Sequence, residues 1–410
     1  MVLLSSSYLE LPFFVNLLLL LVFTKVMGEV FERIKQPAMI GEILAGIILG
    51  PTLFNIVQRT DSINIIAELG VFLLVIIAGL EINIDEIIKS LKGKSIVISL
   101  CAFFIPMFSG LLIGLFFGQD IMTTIFIGLC IAITALPVII RILMDMNKMN
   151  SEVGQKIISI AIFDDVLSLA FLGLIINAKG TDLSIISIVK VAGVSLIKLS
   201  LFIGILAFSY FLLKKISKRK NYLEIKLNSF INLLKSKESL YALIFVFILF
   251  FASITESLGF HFIIGAFFAS LLLNENILGK ENFDSFHNTT NSLAMGFLSP
   301  IFFAGIGLEF NISSIQNYWL LTVIILVSCL SKVIGGFVGG RIAGLNNKTS
   351  LTIGIGINAR GIMELVIANI AYKAGLINLE IFSMLVIMGM VTTIITPLML
   401  KRSFIYLEKN

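Results

Sequence analysis

The chain is a succession of apolar runs punctuated by basic residues, and this alternation constrains its fold more than any motif does. Thirteen runs are long enough to cross a hydrocarbon core of roughly 30 Å as helices. They are 11–33, 38–56, 62–80, 93–118, 121–146, 152–177, 184–213, 239–257, 259–275, 291–307, 317–341, 350–374 and 380–401. The second, eighth, ninth and tenth are short, and the boundary between the eighth and ninth rests on Ser257 and Gly259. With 58% hydrophobic residues, 13% charged residues and a mean hydropathy of +1.05, no soluble fold has enough interior to hide the apolar surface. The composition excludes a soluble enzyme, a nucleic-acid binder and a disordered chain. The expected fold is an all-α polytopic membrane protein, one membrane domain over 1–410 with no room for a second soluble domain. The run from Leu11 to Phe23 continues into a full span, so no cleavable leader is expected.

Lys and Arg test the span count, because cytoplasmic loops collect them. With the N-terminus outside and thirteen spans, 22 of the 30 basic residues fall on the inner side and only Arg59, Lys179 and Lys373 on the outer. The C-terminus is then cytoplasmic. Eight of the inner residues belong to the stretch 214–238. This basic loop reads first as a positive-inside anchor and second as a site for anionic lipid. Lys25 and Lys190 lie toward span ends and can snorkel. Lys198, nearer the middle of the seventh span, has no role evident from the sequence.

Cys101, Cys130 and Cys329 all lie in apolar runs and read as buried thiols, and His261 and His287 are too few for a metal or haem cluster. No cofactor is expected.

Charges near the bilayer centre cost about 2.5–3.5 kcal/mol each on insertion scales, and they mark ion or proton paths. Four spans carry polar groups at a common depth. The sixth has Asp164 and Asp165 at its midpoint, the eleventh has Lys332, the twelfth has Asn358, Arg360 and Glu364, and the fifth has Thr134 and Pro137. Pro137 removes a helical hydrogen bond, and Thr134 can satisfy a freed carbonyl. Gly354, Gly356 and Gly361 surround Asn358 and Arg360 and loosen the twelfth span. The fifth and twelfth spans therefore read as broken helices. Each is fifth in a set of six, on either side of the seventh span, 184–213, as a linker. Two inverted six-helix repeats with interrupted helices at matching positions point to a transporter's ion site.

Adjacent helical carboxylates point about 100° apart, so Asp164 and Asp165 cannot both face one partner. Lys332 is the natural counter-charge, and protons and Na⁺ or K⁺ can compete for the carboxylates. Glu42, about one turn from the inner end of the second span, and Glu364 are both candidate partners of Arg360. The four glycines 335, 336, 339 and 340 read as a close-packing face.

Five segments together resemble the second family of monovalent cation:proton antiporters, within the sodium/proton exchanger superfamily. They are Gln36-Pro-Ala-Met-Ile-Gly-Glu-Ile-Leu-Ala-Gly-Ile-Ile-Leu-Gly-Pro51, Glu68-Leu-Gly-Val-Phe-Leu-Leu with Ala78-Gly-Leu-Glu81, Ile264-Gly-Ala-Phe-Phe-Ala-Ser270, Ser299-Pro-Ile-Phe-Phe-Ala-Gly-Ile-Gly-Leu308 and Asn358-Ala-Arg-Gly-Ile-Met-Glu-Leu-Val-Ile-Ala368. The resemblance covers about 30–400. It implies a homodimer with scaffold helices at 11–80 and 239–307 and a mobile core at 93–177 and 317–401. In that core the broken helices cross and the whole slides as an elevator. It further implies that Asp165 binds the ion, that Asp164 pairs with Lys332, and that two protons exchange electrogenically for one cation. The implied activity is Na⁺ (Li⁺)/H⁺ exchange across the plasma membrane. K⁺/H⁺ or mixed exchange is the alternative, and a non-transporting receptor or sensor on the same fold is a remote one. An intramembrane aspartyl protease requires two aspartates converging from different helices, which neighbours in sequence cannot do.

Overall fold

The computed structural model describes residues 12–34, 36–58, 60–81, 95–149, 151–178, 193–194, 197–198, 200–202, 204–211 and 237–408. Among these residues the chain is all helix, with no strand. Among the described residues seven helical stretches are long and apolar enough to cross a membrane: Phe13–Arg33, Asp61–Glu81, Ser95–Phe116, Lys237–Ser257, Lys280–Glu309, Tyr318–Ile342 and Leu379–Leu407. Shorter apolar helices accompany them. Half of the seventh expected span, and 214–236 of the basic loop, lie outside the described residues; Lys237 already belongs to a helix. The chain divides into two compact units.

The first unit holds 12–71 and 293–316. It contains α1 (Phe13–Arg33), α2 (Ala38–Leu49) and the start of α3 (Asp61–Glu81). The second expected span is cut short: α2 stops at Leu49, because Pro51 cannot continue a helix. Residues 50–57 instead form a turn with Asn55 at φ 49°, closed by Asn55 N–H to Gly50 O (2.7 Å) and Val57 N–H to Leu49 O (3.0 Å). Leu20, Leu49, Val57, Ile63, Ile301, Ala304 and Leu308 form the unit's core. Helix–helix approach here is close enough that a Cβ on Gly46 would stand 2.1 Å from Ala304 O, which explains a glycine of the first signature segment. Lys25, expected to snorkel, donates instead to Met295 O (2.5 Å), a carbonyl in the π-helical stretch Ala294–Leu298.

The second unit holds 72–292 and 317–408. In chain order it contains α4 (Ser95–Phe116), α5 (Ile121–Ala132), α6 (Leu136–Asp145), α7 (Glu152–Ala178), α8 (Lys237–Ser257), α9 (Phe262–Leu272), α10 (Glu275–Leu278) and α11 (Lys280–Leu293). The chain runs from α11 through the π-helical stretch into α12 (Ser299–Glu309), in the first unit. The second unit resumes with α13 (Tyr318–Ile342), α14 (Asn347–Gly356), α15 (Ile362–Lys373) and α16 (Leu379–Glu408).

The expected break between the eighth and ninth spans is present. α8 ends at Ser257, Gly259 takes φ +85°, and His261 caps α9. The tenth span begins eleven residues earlier than hydropathy suggests, at Lys280 rather than 291. Its polar first half is held by packing of Phe286 against Tyr241 and Phe245 and by a Tyr241–Ser285 hydrogen bond of 2.7 Å. Lys198 donates to Leu258 O (2.9 Å), satisfying a carbonyl freed at the end of α8.

The α13 glycines divide by face. A Cβ on Gly335 or Gly339 would meet α4 at Cys101 O or Ile98 Cα (2.8 Å each), and one on Gly336 would meet Gly354 Cα of α14 at 2.5 Å. This close packing brings Lys332 of α13 to the level of the interrupted helices.

Candidate ion site

The fifth and twelfth spans are interrupted at the expected positions. α5 ends at Ala132 and α6 begins at Leu136, so Pro137 falls at the second helical position, where a missing N–H costs nothing. α14 ends at Gly356 and α15 begins at Ile362. The non-helical segments 133–135 and 357–361 meet: Ala135 N–H donates to Ala359 O (2.9 Å), and Thr134 Oγ1 lies 3.2 Å from Ile357 O. Each break thus satisfies a backbone group that the other exposes.

α7 passes beside this junction. Asp164 Oδ2 accepts from Thr134 Oγ1 (2.6 Å) and from Lys332 Nζ (2.7 Å), and Lys332 also donates to Ala102 O (3.2 Å). Asp164, Lys332 and Thr134 are fully buried. Asp165 is fully buried as well, and neither of its carboxylate oxygens has a hydrogen-bond partner among the described residues. The two aspartates have therefore separated as helical geometry requires, one into an ion pair and the other alone.

Asn358, in the second break, donates from Nδ2 to Thr396 Oγ1 (3.3 Å) and to Cys329 Sγ (3.8 Å), while its Oδ1 has no partner. Arg360 is fully buried and reaches back to the C-terminal end of α5. It donates to Cys130 O, to Ile131 O (2.6 Å) and to Ile133 O (3.2 Å). A cation against free carbonyls at a helix C-terminus also answers the helix dipole there. The guanidinium makes no hydrogen bond to Glu364, whose two oxygens have no hydrogen-bond partner among the described residues. Glu42 lies in the first unit, buried on α2 with its Oε1 3.5 Å from where a Cβ on Gly28 would stand.

The sequence reading missed the contribution of α16. Thr393 Oγ1 is 2.7 Å from Arg360 O, and Thr396 holds Asn358. The signal was present: Thr392, Thr393 and Thr396 put three hydroxyls at helical spacing inside an apolar run.

A family model described as "Sodium/hydrogen exchanger, transmembrane" matches residues 18–405. The chain is 30% identical over 394 residues to a probable Na⁺/H⁺ antiporter, GerT, of Bacillus cereus, covering 96% of this chain and 100% of that one. It is 28% identical to the Na⁺/H⁺-K⁺ antiporter GerN of the same organism, with 97% of each chain covered. Its fold matches the solved structure of the sodium proton antiporter MjNhaP1 from Methanocaldococcus jannaschii with a TM-score of 0.72 and 18% identity, covering 95% of this chain and 96% of that one. Two interrupted helices thus join at their breaks beside a buried acidic pair and a buried lysine. The chain belongs to the sodium/hydrogen exchanger family, and it is a multi-pass membrane protein.

Proposed function

We propose that this protein is a secondary active antiporter that exchanges a monovalent cation for protons, with Na⁺ (or Li⁺) as the principal cation. The observation that carries this reading is Asp165, a fully buried carboxyl with both oxygens unpartnered among the described residues. An isolated ionised carboxylate is strongly disfavoured in such a place. Asp165 is therefore neutralised either by a proton or by a bound cation, and a site restricted to those two occupants performs exchange. Asp164 is held by Lys332 and Thr134 and anchors the site. The breaks, with Thr134, Pro137 and Asn358, supply main-chain and side-chain oxygens for a cation.

In this reading 93–177 and 317–401 carry the ion by an elevator movement against 11–80 and 239–307, and the protein works as a homodimer in the plasma membrane with its N-terminus outside. Lys332 exchanges a proton alongside Asp165, which makes transport electrogenic. K⁺ is the second candidate cation, favoured by the similarity to GerN, a Na⁺/H⁺-K⁺ antiporter, and to a yeast K⁺/H⁺ antiporter. The test is exchange in proteoliposomes driven by a pH gradient, with Na⁺, Li⁺ and K⁺ compared. Wild-type rates in Asp165→Asn would overturn the site.

A further inference from the structure

One buried carboxyl of the core is left without a role by the site described above. Glu364 stands in the first turn of α15, is fully buried, and has no hydrogen-bond partner on either oxygen among the described residues. It rests on α16 where Gly389 leaves room: a Cβ at that position would lie 3.4 Å from Oε2 and 3.5 Å from Oε1. Four residues earlier, Arg360 commits both terminal nitrogens to the carbonyls of Cys130, Ile131 and Ile133, while its Nε–H has no partner. A buried donor and a buried acceptor of opposite formal charge thus stand four residues apart, within electrostatic reach of each other, and no hydrogen bond joins them.

The guanidinium is always charged. A buried carboxylate lacking every hydrogen bond is strongly disfavoured, and the neutral acid costs far less. Other charged or titratable groups within electrostatic reach are Lys332 on α13 and Cys130 on α5, besides Arg360 itself. On α16, 381–400 contains no titratable residue.

We propose that Glu364 is a second proton-binding group of the core, protonated while Arg360 holds the end of α5, and that its proton controls this grip. When Glu364 releases the proton to water, the carboxylate becomes an acceptor for the idle Nε–H. It then competes with the carbonyls of Cys130, Ile131 and Ile133 for the guanidinium. The junction of the two breaks is held by Arg360 in the protonated form and loosened in the ionised form. The control this exerts on exchange rests on the antiporter reading; proton binding at Glu364 does not.

The test is infrared difference spectroscopy of the purified full-length protein in lipid, titrated with pH in the absence of Na⁺. We expect a carboxylic-acid C=O band in wild type and in Asp165→Asn that disappears as pH rises and is missing from Glu364→Gln. Glu364→Gln should retain exchange in proteoliposomes but lose one limb of the pH–activity profile. An unchanged band pattern in Glu364→Gln, or no such band in wild type at any pH, overturns the proposal. If Glu364→Gln does not fold, Glu364→Met serves the same comparison. If Asp165→Asn exchanges normally while the Glu364 band behaves as expected, the proposed ion site falls and this inference stands.

Discussion

Lys332 Nζ lies 2.7 Å from Asp164 Oδ2, a pair drawn from positions 168 residues apart and fully buried on both sides. Removing one partner of a buried pair leaves an uncompensated charge and costs about 3–5 kcal/mol. Lys332→Met should therefore lower thermal stability in detergent sharply. Combining it with Asp164→Leu should restore much of the loss, because an apolar pair of similar volume has no charge to desolvate. Equal stability of single and double variants would refute the pairing. Lys332→Gln should also reduce or abolish electrogenicity, read as a changed reversal potential in proteoliposomes.

Asp165 should behave in the opposite way. Its oxygens have no partner to lose, so Asp165→Asn should leave thermal stability unchanged or raise it while abolishing cation-coupled proton flux. A variant as unstable as Asp164→Leu alone would show that Asp165 is structural.

Proton and cation competition at Asp165 fixes the sign of the pH dependence. Below the titration of the site, lowering pH fills it with protons, so the apparent KM for Na⁺ should rise, by up to about tenfold per pH unit for one competing proton. Above the titration the apparent KM should level off. A pH-independent KM measured across that range would exclude a shared site.

Arg360→Met should expose the C-terminal carbonyls of α5 without replacing their partner. Each buried unsatisfied group costs about 1–3 kcal/mol, and three are involved. Arg360→Lys should recover only part of the loss, since an ammonium lacks the planar fork that reaches several acceptors at once. Thermal unfolding of the pair of variants checks the order.

Thr393→Val removes the hydroxyl 2.7 Å from Arg360 O. The loss should be about 1 kcal/mol, with Thr393→Ser close to wild type. Hydrogen exchange should accelerate locally at 357–361 in Thr393→Val. Unchanged exchange there would show that α16 does not hold the break.

The sequence by itself determined the membrane class, most helix positions, both interruptions and the place of Asp164, Asp165, Lys332, Asn358, Arg360 and Glu364 within their apolar runs. Those properties are local: apolar length, proline and glycine, and the distance of a charge from the ends of its run. The same locality explains the misreadings. The helix beginning at Lys280 is polar on its own terms and is held by Phe286 packing on α8, and α2 ends at Leu49 although apolar residues continue. Only the tertiary structure decided which groups meet: Lys332 with Asp164, Arg360 with the carbonyls of α5, Lys198 with Leu258, and Thr393 and Thr396 with the second break. Every one of these partners comes from a distant segment brought close by helix packing, and a buried polar group takes whichever partner that packing places within reach.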